Sequence, residues 1–258
     1  MIRRSPIVDP ARPCPGEAPS CVGRPVSVGL KKVGMESRSY LIVGAGHFGN
    51  RAARELLKKD PCCRITVVDR KGAPLERLSG LPIQTALGEG RSFLGRFLAK
   101  KNTVDFVVPA VPFHFAFEYL LRKLRPLGAR RGRIPCLPGL PNAVRGKSGD
   151  LYTSLADFLC PESCPAPSRY CWVTGKRRVK PLYRILEELE GPFESEVIRS
   201  EQLGPGVGGF RLKRLLDLQE RIERRLRQEQ QGLLLLSTAS RCHGVTSCLS
   251  WQTASDLL

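Results

Sequence analysis

Residues 40–69 read YLIVGAGHFGNRAARELLKKDPCCRITVVD, and this stretch decides the fold of the first half of the chain. An apolar run leads into Gly44-x-Gly46-x-x-Gly49, then a helical pattern, then a second apolar run that ends on Asp69. The first glycine makes the tight turn off the strand, the second lets a pyrophosphate approach the backbone, and the third lets helix and strand pack closely. The unpaired N–H groups of the helix would face that phosphate. This order of elements predicts dinucleotide binding.

The residues predicted to hold the dinucleotide lie along this motif. Asp69 closes the second strand where a ribose 2′-hydroxyl would lie, while Arg70 and Lys71 behind it could accept a 2′-phosphate instead. We therefore expect NAD or NADP as the cofactor. The alternative is a glycine-rich turn between strand and helix that holds no ligand. The predicted cofactor-binding residues are Gly44, Gly46, His47, Phe48, Gly49, Asp69 and Arg70.

Length and composition describe an ordinary globular protein. The chain has 258 residues, of which 41% are hydrophobic, enough to bury one large core or two modest ones. No apolar run approaches the roughly 20 residues that span a bilayer, and the N-terminus has no apolar signal core. We therefore expect a cytoplasmic protein with no membrane span.

The net charge of +18 raises the question of a nucleic-acid partner. Arginine is scattered over every segment, with no lysine block and no basic stripe interleaved with aromatic residues. Nothing matches a helix-turn-helix, an RNA-recognition or a zinc-finger pattern. The composition therefore disfavours nucleic acid as a partner.

The chain divides into three regions by pattern. Residues 1–34 are rich in Pro, Arg and Gly without periodicity, which predicts a disordered or mis-called extension ahead of a true start at Met35. Residues 35–147 alternate strand and helix, including a strand at Arg133–Leu137, and predict a doubly wound parallel Rossmann-like α/β sheet. Residues 148–258 predict a smaller, cysteine-containing α/β or α+β domain, with a long helix at Arg211–Gln230 and a leucine-rich strand at Gly232–Ser237.

Residues 38–110 resemble the TrkA-N (RCK N-terminal) type of NAD(P)-binding Rossmann domain. The resemblance rests on YLIVGAGHFGNRAARELL, ITVVDRKGAPLERL and LPIQTALGEGRSFL. It implies NAD(H) or NADP(H) bound at Gly44, Gly46, Gly49 and Asp69. The chain departs from the family pattern in having Gly-Glu at residues 88–89 where Gly-Asp is usual. The second half does not resemble the regulatory C-terminal domain of potassium-transport subunits.

A candidate catalytic pair follows the fourth predicted strand. Ligands bind outside the carboxyl ends of parallel strands, so His114 is expected near the nicotinamide, where it could relay a proton. Glu118, one helical turn further on, could orient the imidazole. The alternative is that His114 caps or packs the first helical turn.

The cysteines of the second half suggest a metal or cluster site. Cys160, Cys164 and Cys171 form a C-x3-C-x6-C pattern, and Cys242 follows downstream with His243 as an alternative fourth ligand. Thiolates grouped on one loop with a distant fourth are a common way to hold zinc or an iron–sulfur cluster. The spacing is neither a zinc-ribbon repeat nor a ferredoxin run. The alternatives are buried unligated thiols, a redox-active dithiol and a catalytic cysteine beside His243.

These observations leave three functions open. The first is an NAD(P)-dependent oxidoreductase whose C-terminal half supplies the site for a small-molecule substrate. The second is a non-catalytic protein that reports NAD(H) state to a protein partner, such as a regulatory subunit of potassium transport. The third is a redox or metal sensor acting through the cysteines. The sequence leaves the oligomeric state open, a homo-oligomer included.

Overall fold

A computed structural model describes residues 37–252 of the chain. The predictions made for residues 1–34 and for Met35 lie outside the described residues. Residues 37–252 form a mixed α/β fold built on two mixed sheets. No helix among them is both long and apolar enough to cross a membrane.

The first half of the chain alternates strands and helices. The strands are β1 (Ser39–Val43), β2 (Arg64–Asp69), β3 (Gln84–Leu87) and β4 (Phe106–Pro109), and they are parallel in the order β3-β2-β1-β4. The helices are α1 (His47–Lys59), α2 (Gly72–Glu76), α3 (Gly90–Ala99) and α4 (Phe115–Leu124), and a 3-10 turn at Arg125–Leu127 follows α4. The central strands read as continuous apolar runs because both of their faces are covered.

The second half contributes the remaining elements. They are β5 (Arg130–Arg131), β6 (Val144–Arg145), β7 (Leu151–Ser154), α5 (Leu182–Glu187), β8 (Glu194–Arg199), β9 (Glu201–Gly204), β10 (Val207–Arg211), α6 (Leu212–Gln228), β11 (Gln231–Ala239) and β12 (His243–Gln252). The second sheet has the order β6-β7-β12-β11-β8, with β5 beside β12. The predicted leucine strand lies inside β11, and the predicted long helix is α6; both predictions are confirmed.

The first sheet is not wholly parallel, and this corrects the prediction. Strand β10 runs antiparallel beside β4, with Phe210 opposite Val107, and β9 pairs antiparallel with β10. The prediction of a strand at Arg133–Leu137 is wrong. The nearby strand β5 ends at residue 131 and pairs with the second sheet. Pro135 within that segment has no N–H to donate to a strand ladder. Strands from the second half of the chain therefore extend the sheet of the first half.

The main core joins the two sheets through helices. The apolar residues along one side of α6 are buried, as their helical spacing predicts. This apolar stripe packs with residues of α4 and with one face of each sheet. A second cluster lies on the other face of the first sheet, where Ala52, Ala53 and Leu56 of α1 cover Ile42 and Val67. The packing therefore fixes α1 against β1, with the turn between them at the carboxyl edge of the sheet. The buried residues of the α6 stripe are Leu212, Leu215, Leu218, Ile222 and Leu226.

Candidate functional site

The turn from β1 into α1 requires glycine at two positions. Gly44 has φ +100°, and a Cβ there would lie 2.5 Å from the carbonyl oxygen of Ala110. A Cβ at Gly49 would collide with the carbonyl oxygen of Gly44. Gly46 is different, because a Cβ there would meet no atom within 4 Å. Two glycines therefore shape the turn, and the third leaves open space beside it.

The first turn of α1 is arranged as an anion site. Gly46 is the N-cap residue, and no described side chain caps the amides of that turn. The first turn has no acidic residue, whereas Lys58 and Lys59 lie at the far end of the helix. The first amides of a helix lack partners within the helix and carry the positive end of its dipole. A phosphate would find hydrogen-bond donors and open space at this place.

Asp69 lies beside the glycine turn at the end of β2. Its Oδ2 accepts a hydrogen bond from the amide of Ala45 (2.7 Å), and its Oδ1 accepts one from the amide of Lys71 (2.8 Å). Each carboxylate oxygen can accept a further bond. The carboxylate is therefore fixed in orientation and can still accept from hydroxyl groups of a ligand. Arg70 and Lys71 are exposed next to it.

A cavity of about 1250 Å³ opens at the carboxyl end of β4. Its walls include Phe48 of α1, which is 57% exposed, and the segment Pro109–Pro112 that follows the strand. The opposite wall is the segment 155–180, which carries three of the predicted metal-ligating cysteines. Strands β1 and β4 are neighbours, and the helices that follow them cover opposite faces of the first sheet, α1 over Ile42 and α4 over Leu41. Such a switch point is where open α/β sheets bind ligands.

The segment 160–164, which we call the cysteine loop, contacts the amino end of α1. The carboxylate of Glu162 is hydrogen-bonded to Nε2 of His47 (2.8 Å) and lies 3.8 Å from Nη1 of Arg51. The amide of Gly206 donates to the carbonyl of Cys164 (3.0 Å), and a Cβ at Gly206 would collide with the carbonyl of Glu162. The cysteine loop is therefore held between the β9–β10 turn and the predicted phosphate site.

The four predicted metal-ligating thiols face the same cavity. None of the eight cysteines among residues 37–252 forms a disulfide. Burial raises the pKa of Cys242, and the nearby thiols of the other three raise it further. Burial likewise raises the pKa of Cys160, with Cys164 and Cys171 adding to the effect. Cys160, Cys164, Cys171 and Cys242 therefore line one cavity together with His243, but among residues 37–252 no three such side chains are placed closely enough to hold a metal ion.

His114 is buried and fully bonded within the protein. Its Nδ1 lies 2.8 Å from Oγ of Ser247, and its Nε2 lies 2.9 Å from Oγ1 of Thr238. Because the Ser247 hydroxyl donates to Asp150, the ring donates to Ser247 and accepts from Thr238. Burial lowers the pKa of His114 to about 3, with Asp150 opposing the shift and Arg131 adding to it. The imidazole is therefore neutral at physiological pH.

Glu118 does not orient His114 in this structure. Its carboxylate pairs with Arg91 (3.0 Å) and with Arg131, while its amide donates to the backbone carbonyl of His114. The catalytic role of the two residues stays a prediction. Their observed contacts join α4 to α3 and to the second sheet.

Sequence reasoning missed three residues of this region. Glu162 and Arg178 are charged residues within cysteine-rich segments, and nothing in their spacing indicates what they face. Gly206 belongs to the glycine-rich run at residues 204–209. It has φ +69° in the turn between β9 and β10. The Gly-Pro-Gly sequence at residues 204–206 is a turn signal that could have predicted this hairpin.

Comparison with known proteins places the chain in a family. The chain belongs to the family described as "Uncharacterized protein, C-terminal domain", whose model matches residues 116–252. A protein of Archaeoglobus fulgidus, named "Uncharacterized protein", is 30% identical over 224 residues, which cover 81% of this chain and 98% of that protein. No solved structure matches the chain. The family range includes the four predicted metal-ligating cysteines and the strands β9 and β10.

Proposed function

We propose that the protein is an NAD(P)-binding redox protein, with the dinucleotide at the β1–α1 turn and its reaction partner in the adjoining cavity. The observation that carries the proposal is the turn itself. Gly44 and Gly49 close it tightly, while Gly46 leaves open space in front of the uncapped first turn of α1. A pyrophosphate needs this combination of close backbone approach and unpaired amides.

The strand order supports a Rossmann-like interpretation of the first sheet. The parallel order β3-β2-β1-β4 matches the first four strands in the strand order of that fold. Asp69, held by the amides of Ala45 and Lys71, lies at the end of β2 where an adenosine ribose would bind. Exposed Arg70 and Lys71 would accommodate a 2′-phosphate, so NADP(H) is included with NAD(H).

The cavity favours a redox role for the bound dinucleotide over a purely structural role. A nicotinamide extending from the turn past Phe48 would enter a space at the end of β4. A volume of about 1250 Å³ also has room for a small substrate. The competing function is nucleotide sensing, in which the bound dinucleotide is not turned over. A dinucleotide that binds without oxidation or reduction of any added substrate would favour sensing.

The test uses Gly46→Ala, because a Cβ at this position collides with nothing in the protein. Titration calorimetry with NAD(H) and NADP(H) should show binding to the wild type and a Kd at least tenfold higher for the variant, which is about 1.4 kcal/mol. Gly95→Ala, within α3 and also free of close contacts, is the matched control and should bind normally. Equal binding by wild type and Gly46→Ala would refute the site.

A further inference from the structure

We propose that a chain of hydrogen bonds carries a proton from a substrate hydroxyl in the cavity to solvent, and that Thr238 is the residue that touches the substrate. The inference rests on the proposed function, because the proton is released when an alcohol is oxidised by the bound dinucleotide. The chain runs between α4 and the second sheet to an exposed serine. Its members, in order from the cavity, are Thr238, His114, Ser247, Asp150 and Ser148.

The chain begins at Thr238, near the end of β11. Thr238 is half-buried and lines the cavity. Its Oγ1 lies 2.9 Å from Nε2 of His114, which is only 2% exposed and has both ring nitrogens bonded within the protein. A hydroxyl oxygen has two lone pairs besides its proton, so Thr238 can accept from a substrate hydroxyl while it donates to His114. A substrate would therefore meet the threonine hydroxyl, and the imidazole acts through it.

The hydrogen bonds of the chain all point away from the cavity. The Asp150 carboxylate only accepts, so the hydroxyl of Ser247 donates to it. Ser247 has no second proton, so it accepts from Nδ1 of His114 (2.8 Å), which leaves Nε2 to accept from Thr238. Each member can therefore take a proton from the cavity side and pass its own proton onward. A chain ordered in this direction is ready to remove a proton from an alcohol.

Asp150 connects the buried part of the chain to solvent. It is 1% exposed, and Nη1 of Arg131 donates to its Oδ1 (2.7 Å). Burial raises the pKa of Asp150, but hydrogen bonds from two serines and Arg131 outweigh this and lower it, so the carboxylate is ionised at rest. Its Oδ2 accepts from Ser148, which is exposed and does not line the cavity. A proton that reaches Asp150 can therefore leave to water at Ser148.

The proton transfer balances as part of an alcohol oxidation. The C–H bond of the alcohol breaks, and its hydride reduces NAD(P)⁺. The O–H bond breaks as the carbonyl forms, and its proton passes to Thr238 while each member of the chain hands its own proton toward the carboxylate. The products are a carbonyl compound, NAD(P)H and protonated Asp150, which then releases the proton to water. The substrate class is therefore a primary or secondary alcohol.

A neighbouring hydroxyl pair shows what a purely structural arrangement looks like. The hydroxyls of Ser237 and Thr246 lie 2.7 Å apart, and both residues are fully buried. That pair is closed on itself, whereas the proposed chain opens to the cavity at one end and to solvent at the other. Burying a carboxylate and an imidazole is costly, and apolar side chains of similar size would pack without that cost. Packing alone therefore does not require the chain.

The first test needs neither substrate nor a variant that folds. The protein has three histidines, so a sample labelled with ¹⁵N-histidine gives few ring signals, and His114→Gln assigns those of His114. We expect the wild-type His114 ring to be neutral with its proton on Nδ1. A proton on Nε2 would overturn the proposal, because the ring could then not accept from Thr238.

The second test measures turnover of ethanol, isopropanol, glycerol and benzyl alcohol with NAD⁺ and NADP⁺, alongside calorimetry of dinucleotide binding. We expect Thr238→Val to lower kcat at least about hundredfold with the dinucleotide Kd unchanged, and Thr238→Ser to retain most of the activity. Ser237→Ala removes a buried hydroxyl outside the chain, so this matched control should keep the wild-type kcat. A folded Thr238→Val variant with wild-type kcat would overturn the proposal.

Ser247→Ala separates a proton relay from a packing role. The charged and titratable groups around this link are His114, Asp150 and Arg131. Without the serine hydroxyl the proton must leave with hydroxide that enters the cavity. We therefore expect a lowered kcat that rises about tenfold per pH unit, whereas the wild-type kcat changes little above neutral pH. A folded variant with the wild-type pH profile would overturn the proposal.

The calorimetry distinguishes the two ways in which the experiment can fail. Wild-type protein that binds the dinucleotide but oxidises none of the four alcohols would overturn the relay and leave the dinucleotide site standing. Wild-type protein that binds no dinucleotide would refute the proposed function, and the relay with it.

Discussion

Lowering the pH from 6.5 toward 5 should destabilise the protein because His114 is buried in its neutral form. The folded protein holds the pKa of His114 at about 3, whereas an imidazole in the unfolded chain titrates near 6.5. Between these values the unfolded chain binds a proton that the folded chain excludes. Stability is therefore fully retained above pH 6.5 and falls as the pH decreases through the window.

The expected slope follows from this difference of one proton. Well inside the window, each pH unit costs about 1.4 kcal/mol of the free energy of unfolding. His243, whose pKa is also lowered by burial and by Arg178, adds to the wild-type slope in the same direction. Partial burial of the Glu89 carboxyl raises its pKa, but hydrogen bonds from Arg91 and Ser92 outweigh this and lower the pKa to about 2, so Glu89 contributes only at more acidic pH.

The assay is urea denaturation of the wild type and of His114→Gln at several values between pH 5 and 7.5. Glutamine can bond Ser247 and Thr238 but does not titrate. We expect the wild-type free energy of unfolding to fall more steeply with acid than that of the variant, by up to about 1.4 kcal/mol per pH unit. Equal m-values would confirm that both unfold in the same way. Parallel pH curves would refute the neutral, buried assignment of His114.

Two further substitutions test the surroundings of the β1–α1 turn. Gly49→Ala forces a Cβ against the carbonyl of Gly44, so we expect denaturant unfolding to show a loss of about 3 kcal/mol or more in the free energy of unfolding. For Gly46→Ala at the N-cap we expect a loss of about 1 kcal/mol or less. Comparable losses for the two variants would argue against the tight turn. Glu162→Gln removes a negative charge beside the proposed phosphate site, so calorimetry at low salt should show severalfold tighter dinucleotide binding than wild type, and weaker binding would contradict that placement.

The elements with strong local patterns were predictable from the sequence. The glycine spacing and the two flanking apolar runs predict the β1–α1–β2 unit, and the 3.6-residue stripe predicts α6. Both signals arise from residues close together in the chain. The pattern of the apolar runs also predicted β4, although it did not reveal which strand would lie beside it.

The pairing between the two halves was not predictable in the same way. Phe210 pairs with Val107, which is far away in the sequence. The residues of a strand do not indicate which other strand will lie beside it. At Arg133–Leu137, Pro135 disfavours a strand despite the apolar residues around it, because proline has no N–H for a strand ladder. At the site, the cysteine spacing predicted that Cys242 lies near the other cysteines. The contact of Glu162 with His47 was not predictable, because it depends on the turn between β9 and β10, and the glycine-rich sequence does not indicate what that turn contacts.

The central claim is that a dinucleotide binds at the amino end of α1. The most direct measurement is a titration of the ¹⁵N-labelled protein with NADH and NADPH, followed by amide chemical shifts. The account predicts that the largest changes fall on residues 44–49 and 69–71, and that Gly46→Ala needs at least about tenfold more dinucleotide to reach half of them. Saturating dinucleotide that shifts no amide in these two segments, or only amides elsewhere, would contradict it.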